Sequence, residues 1–236
     1  MTTKKIDPKA SKKRGRPRQF DLDKAISTAL DLFHRRGYDG VGVAELSKSM
    51  GITAPSLYSA FGNKRSLFEQ VLKHYIQTRG CWLPTALATE GELESTITHF
   101  FSKAAEIYTD DPERCGCLVM DATRNCSDEE AKALTAGMQQ ATRGLICDRI
   151  KTGAPNLSET MVNALSNYVL MILVGLSGSA RDGVSTEALQ LTAKTAAAGF
   201  ISQLHEYQSE RKAQRIRQKS IQSSTSTTSN NNLETL

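Results

Sequence analysis

Few stretches of this 236-residue chain alternate β-branched and polar residues, and aromatics make up only 6% of it. Half-buried strands are written by such alternation, so a sheet-based architecture is disfavoured. Ala, Leu and Met are plentiful instead, and these side chains lose little freedom in a helix. Long apolar runs are also missing. The longest, Tyr168 to Leu176, is far short of the ~20 residues that span a bilayer. The first 20 residues hold 8 Lys+Arg and no apolar core segment, which is unlike a secretory signal. The expectation is a cytoplasmic protein without a membrane partner.

Catalytic and metal-binding patterns are equally scarce. There is no nucleophile elbow, phosphate loop or pair of catalytic carboxylates. The five cysteines (81, 115, 117, 126 and 147) are an odd number, against a complete disulfide framework. The four histidines (34, 74, 99 and 205) include no helical i, i+4 pair, and no zinc spacing occurs. Neither an enzyme nor a cofactor is expected.

What is present is an uneven charge. Residues 1–79 hold 16 Lys+Arg against 7 Asp+Glu, whereas residues 80–236 hold 14 against 18. A basic third beside a mildly acidic remainder points to one part that meets a polyanion and one that does not. The basic excess begins in a flexible arm, residues 1–20, with the run KKRGRPRQFD at 12–21.

Helical spacing follows. Asp21 is a good N-cap for a helix in which Ala25, Ile26, Ala29, Leu30, Leu32 and Phe33 recur apolar, and Gly37 ends it. A short helix is predicted from Val43 to Met50, broken by Gly51. Thr53 caps a third from Ala54 to about Ala60, with Pro55 tolerated in its first turn. A fourth starts near Lys64. Longer helices are expected over Leu93–Tyr108, Asp128–Lys151, Ser158–Arg181 and Ser185 to about Glu210, with a short one over Gly116–Asn125. The Ser/Thr/Asn-rich end reads as disordered. The expectation is an all-α chain: arm 1–20, three-helix helix-turn-helix domain 21–63, helical effector and dimerisation domain 64–210, disordered tail 211–236.

The run from Leu46 to Phe68 carries the functional signal. Ser47 lies four residues before Gly51, letting two helices cross closely. Ile52 and Leu57 anchor the third helix on the core. Its other face then presents Thr53, Pro55, Ser56, Tyr58 and Ser59, short or flat groups suited to a major groove. Lys64, at the head of the next helix, suits a phosphate.

Gly51-Ile52-Thr53, Leu57-Tyr58, Phe61, Lys64 and Leu67-Phe68 together resemble the signature of TetR/AcrR-family transcriptional regulators. LYSAFGNK is similar to the branch whose members read LYAAFG before a lysine. The match is specific over roughly residues 20–76 and architectural beyond. The resemblance implies a dimer, an N-terminal domain that binds a double-stranded operator, and repression released by a small molecule. It places Thr53, Pro55, Ser56, Tyr58 and Ser59 at recognition-helix positions and Lys64 at a phosphate clamp. One departure is Gly42, where members often carry a Ser or Thr that touches phosphate; the Gly42 N–H can still donate. Arg14-Gly15-Arg16-Pro17, with Arg18 beside it, is similar to an AT-hook core. The arm either enters an A·T-rich minor groove or acts as an electrostatic tail.

In the remainder, 158–210 reads as the homodimer pair or as internal core. Its small residues include Gly175, Gly178 and Ser179, then Ala188, Thr195 and Gly199. Candidates to line an effector cavity are Trp82, Phe100, Phe101, Tyr108, Met120, Arg124, Met138, Tyr168 and Met171, each of which plain core also explains. Cys117, in ERCGCLVMDATRNC, resembles the GCL segments of family members that sense electrophiles or oxidants. Arg114 and Arg124 would lower a thiol pKa there, and a small buried hydrophobe is the alternative. A nucleoid-architecture protein would share the arm and the helix-turn-helix. It would not need so large an acidic remainder.

Overall fold

The computed structural model describes residues 21–230. Among them are ten α-helices, one turn of 3-10 helix and no strand. The first three helices are α1 (Leu22–Arg36), α2 (Val43–Met50) and α3 (Ala54–Phe61). Their ends are set locally. Asp21 accepts from the Lys24 N–H at 3.1 Å, and Thr53 from the Ser56 N–H at 3.3 Å. Between α2 and α3, Gly51 sits at φ 68°, ψ 32°, the left-handed conformation that costs a glycine nothing. The Ile52 N–H then reaches back to the Ser47 carbonyl at 3.0 Å, which fixes the turn.

α4 (Lys64–Thr78) starts at Asn63, whose side chain accepts from the Ser66 N–H at 2.8 Å. It packs on α1 and, further along, on the helices of the larger part. Phe33 and Phe68 meet edge to face at 5.1 Å, and Tyr38 tilts against Phe68 at 4.9 Å. This aromatic cluster closes the core of the small domain.

The larger part contains α5 (Trp82–Leu87), α6 (Leu93–Ile107), α7 (Leu118–Asp121), α8 (Glu129–Gly153), α9 (Glu159–Arg181) and α10 (Thr186–Asn230). α10 lies along α6 and α9, and α8 packs on α9. α9 is long and apolar enough to cross a membrane by length and composition alone. In this fold Val162, Leu165, Val169, Leu173 and Leu176 are buried inside the bundle, and Met171 points out.

Two sequence expectations are corrected, and one helix is new. The short helix expected over Gly116–Asn125 shrinks to Leu118–Asp121, because Gly116 and Asn125 both take positive φ and bound it. Nothing in the sequence reading anticipated α5, a six-residue element with Pro84 inside it. The tail expected to be disordered from 211 continues α10 as far as Asn230. No Gly or Pro interrupts the chain after Gly199, and Glu, Gln, Arg and Lys favour helix as far as Gln222.

Candidate nucleic-acid interface and effector cavity

On α3, Leu57 and Phe61 are one turn apart and buried. They turn the opposite face outward, so Thr53, Pro55, Ser56, Tyr58 and Ser59 are all exposed together. Tyr58 is the informative one. Its large ring is 48% exposed, on a helix whose packing is already satisfied by other residues. The Thr53 and Ser56 hydroxyls lie 2.9 Å apart and rigidify the leading edge of this face. Gly42 is exposed as the N-cap of α2, with no side-chain cap, and a Cβ added there meets nothing within 4 Å. Arg14, Arg16 and Arg18 lie outside the described residues.

Lys64 stands at the head of α4, as expected. Its ammonium rests 4.0 Å over the Tyr38 ring and is half-buried, and burial holds its pKa below the ordinary lysine value. Tyr38 belongs to a seam between the small and large parts that sequence reading missed. The Tyr38 N–H donates to the Ala122 carbonyl at 2.7 Å, and its hydroxyl to Asp128 at 3.0 Å. The Asp39 carboxylate accepts from the Ser127 N–H at 2.7 Å, which holds its pKa low. Arg65 pairs with Asp128 and Glu130.

Arg181, at the end of α9, caps α1 from across the molecule. It donates to the His34 carbonyl at 2.6 Å and the Arg35 carbonyl at 3.2 Å, two of the acceptors a helix end leaves open. A Cβ on Gly116 would come within 2.8 Å of the Arg181 side chain and the Ser177 carbonyl, so only glycine fits beside them. Ser177 receives the Cys117 N–H at 2.7 Å and donates to the buried Asp121. These partners stand tens of residues apart, and no local spacing announces them.

Beneath α4 lies an apolar cavity of about 180 Å³. Of the residues expected to line it, Trp82, Tyr108, Cys117, Met120 and Met138 do so. Tyr75, Leu83 and Leu145 join them without having been foreseen. Phe101 is fully buried and is not among the lining residues. Tyr168 is committed to α10, donating to the Ala196 carbonyl at 2.9 Å. Arg124 pairs with Asp121 at 3.1 Å and lines a separate polar cleft at the seam. Met171 is 66% exposed, so the inward place expected for it is wrong. It lies on the outer side of α9, while Leu165, Val169, Leu173 and Leu176 are buried.

The electrostatics expected around Cys117 also fail. Arg114 is held by Asp31 and Asp111, and Arg124 by Asp121. Burial pushes the Cys117 thiol up instead of down.

This geometry can be set beside known proteins. Residues 25–71 match the model for bacterial regulatory proteins of the tetR family. Over 191 residues the chain is 34% identical to the HTH-type transcriptional repressor BdcR of Escherichia coli (strain K12), covering 81% of this chain and 94% of that one. The chain belongs to the TetR family. This TetR-family chain is also 31% identical over 193 residues to the HTH-type transcriptional repressor ComR of the same organism, covering 78% and 90%. Its fold is similar to that of a cysteine mutant of the TetR family regulator CifR complexed with 26-bp double-strand operator DNA. The TM-score there is 0.71 at 30% identity, over 78% of this chain and 98% of CifR. A TetR-family DNA-binding transcriptional regulator is therefore what the small domain and its outward-facing α3 belong to.

Proposed function

We propose that the chain is a repressor that binds a palindromic operator as a homodimer and is released by a small molecule. The observation that carries this reading is the outer face of α3, where Tyr58 stands exposed among Thr53, Pro55, Ser56 and Ser59. On this reading residues 21–63 enter the major groove, residues 64–210 hold the effector and the second subunit, and Arg14, Arg16 and Arg18 add salt-dependent affinity.

Dimerisation through 158–210 is supported by apolar residues that the monomer leaves in water. Met171 on α9 is 66% exposed and Leu191 on α10 is 68% exposed. Two such helices from each subunit make a two-fold four-helix interface. The dimer sets its two recognition helices about 34–36 Å apart, one turn of the duplex.

Release runs through α4. Tyr75 and Ile76 near its end line the cavity, and Lys64 and Arg65 at its start hold the seam to the small domain. A ligand that fits the cavity better when α4 is displaced shifts the dimer away from the DNA spacing. DNA affinity falls only by the ratio of ligand affinities for the two conformations. A thiol-responsive form of the same reading rests on Cys117 in the cavity wall. Its raised pKa makes it a slow nucleophile at pH 7.

Binding-site selection with the full chain on random duplex DNA tests the proposal. A palindrome with half-sites one helical turn apart is expected. Retention of DNA without any consensus would overturn the operator reading in favour of an architectural role.

A further inference from the structure

We propose that the cavity beneath α4 takes a neutral, one-ring aromatic compound bearing a single hydrogen-bonding oxygen. The inference rests on the reading of this cavity as the effector site.

The volume is about 180 Å³. Apolar cavities of about 150 Å³ accept benzene, so this one holds a single ring with a small substituent, and a two-ring ketone is larger than close packing allows in that space. Its wall favours aromatic rings. Trp82 stands edge-on to Tyr108 at 6.4 Å, and Met120 and Met138 supply polarizable thioethers.

No lining residue carries a formal charge at pH 7. Burial pushes the Tyr75 and Tyr108 phenols and the Cys117 thiol up, so all three stay neutral as well. Arg79, one turn beyond Tyr75, is committed to the Ile107 carbonyl at 3.1 Å and Asp110 at 2.6 Å. A carboxylate or ammonium entering here finds no counter-charge and loses its water. Tyr75 and Tyr108 both lie against the Cys117 thiol and form a buried polar end, and Thr142 adds one hydroxyl elsewhere in the lining, at a half-exposed position. A single ligand oxygen can accept at the buried end, and most of the remaining wall is apolar.

The test is calorimetric titration of the full-length protein with acetophenone, toluene, benzoate, benzylamine and 2-acetylnaphthalene, with Trp82, the chain's one tryptophan, as a fluorescent check on location. Acetophenone is expected to bind at least tenfold more tightly than benzoate, benzylamine or the naphthyl ketone. In Tyr108→Phe, acetophenone should weaken about fivefold while toluene holds. The class is overturned if benzoate or the naphthyl ketone binds as well as acetophenone, if no compound binds, or if Tyr108→Phe weakens toluene equally. Each compound is then added to the protein bound to its selected duplex. Acetophenone that binds without releasing DNA leaves the ligand class standing and defeats the effector role. Release by a charged or two-ring compound does the reverse.

Discussion

The outer face of α3 and the wall of the cavity beneath α4 are built by opposite means. On α3, Leu57 and Phe61 satisfy the packing, and the remaining positions are left in water. Tyr58 is exposed there although nothing in the fold of the monomer needs it. In the cavity every aromatic is half or fully buried, and two phenols and a thiol are pressed together at one end. The first surface is a packed support that leaves its outer groups in water. The second is a hole the fold leaves open at a cost in packing. Between them lies the seam, where Arg181, Asp39 and Arg65 tie the two parts through side chains far apart in sequence.

Breaking the support of α3 should give the largest effect. Phe33→Ala removes a fully buried ring that meets Phe68 and Tyr38. A loss of about 3–5 kcal/mol in unfolding free energy is expected, read by chemical denaturation. A loss below about 1 kcal/mol would mean the aromatic cluster does not hold the small domain.

A second comparison uses pH. His34 is 1% exposed, neither ring nitrogen has a hydrogen-bond partner, and burial holds its pKa down to about 3. Between that value and the ordinary 6.5 the unfolded chain binds the extra proton, so stability rises with pH through this window and falls as pH drops. From pH 6.5 to 5 the His34 contribution falls by about 2 kcal/mol. Thermal melts of His34→Leu should show a flatter acid limb. An unchanged limb would count against an unpaired, neutral His34.

The seam should yield a smaller loss. Arg181→Leu strips two donors from the end of α1, worth about 1–3 kcal/mol. Faster amide exchange over residues 37–40 is the expected signature, since the Tyr38 N–H is bonded across the same seam. Protection unchanged there would make Arg181 a surface contact only. The smallest effect belongs to Gly42→Ser. It supplies the missing cap of α2 in open space, worth a few tenths of a kcal/mol in melting experiments. It should also tighten operator binding by a phosphate hydrogen bond, and weaker binding would remove Gly42 from the interface.

How much of this was legible follows the range of the interactions. α1 to α3 were readable because Asp21, Gly37, Gly51 and Thr53 act on residues within one turn. The outward set on α3 was readable for the same reason, since Leu57 and Phe61 declare the buried side. α5 was not, because six residues are too few for a period. On α9 two stripes are apolar, and only the packed structure shows that Leu165–Leu176 goes in and Met171 goes out. The seam was invisible, as its bonds join residues such as Arg181 and His34, 147 positions apart. Five of the expected cavity residues fell in place, while Tyr75 stayed unnoticed because its apolar period marks it as plain core.

The central claim is that the exposed face of α3 reads the base sequence. The most direct measurement is the affinity of Tyr58→Ala for the selected duplex and for a scrambled duplex of the same length, at one salt concentration. The account predicts about a tenfold or greater loss on the selected duplex, little change on the scrambled one, and an unaltered melting temperature. Equal losses on both duplexes, or none on either, would contradict it.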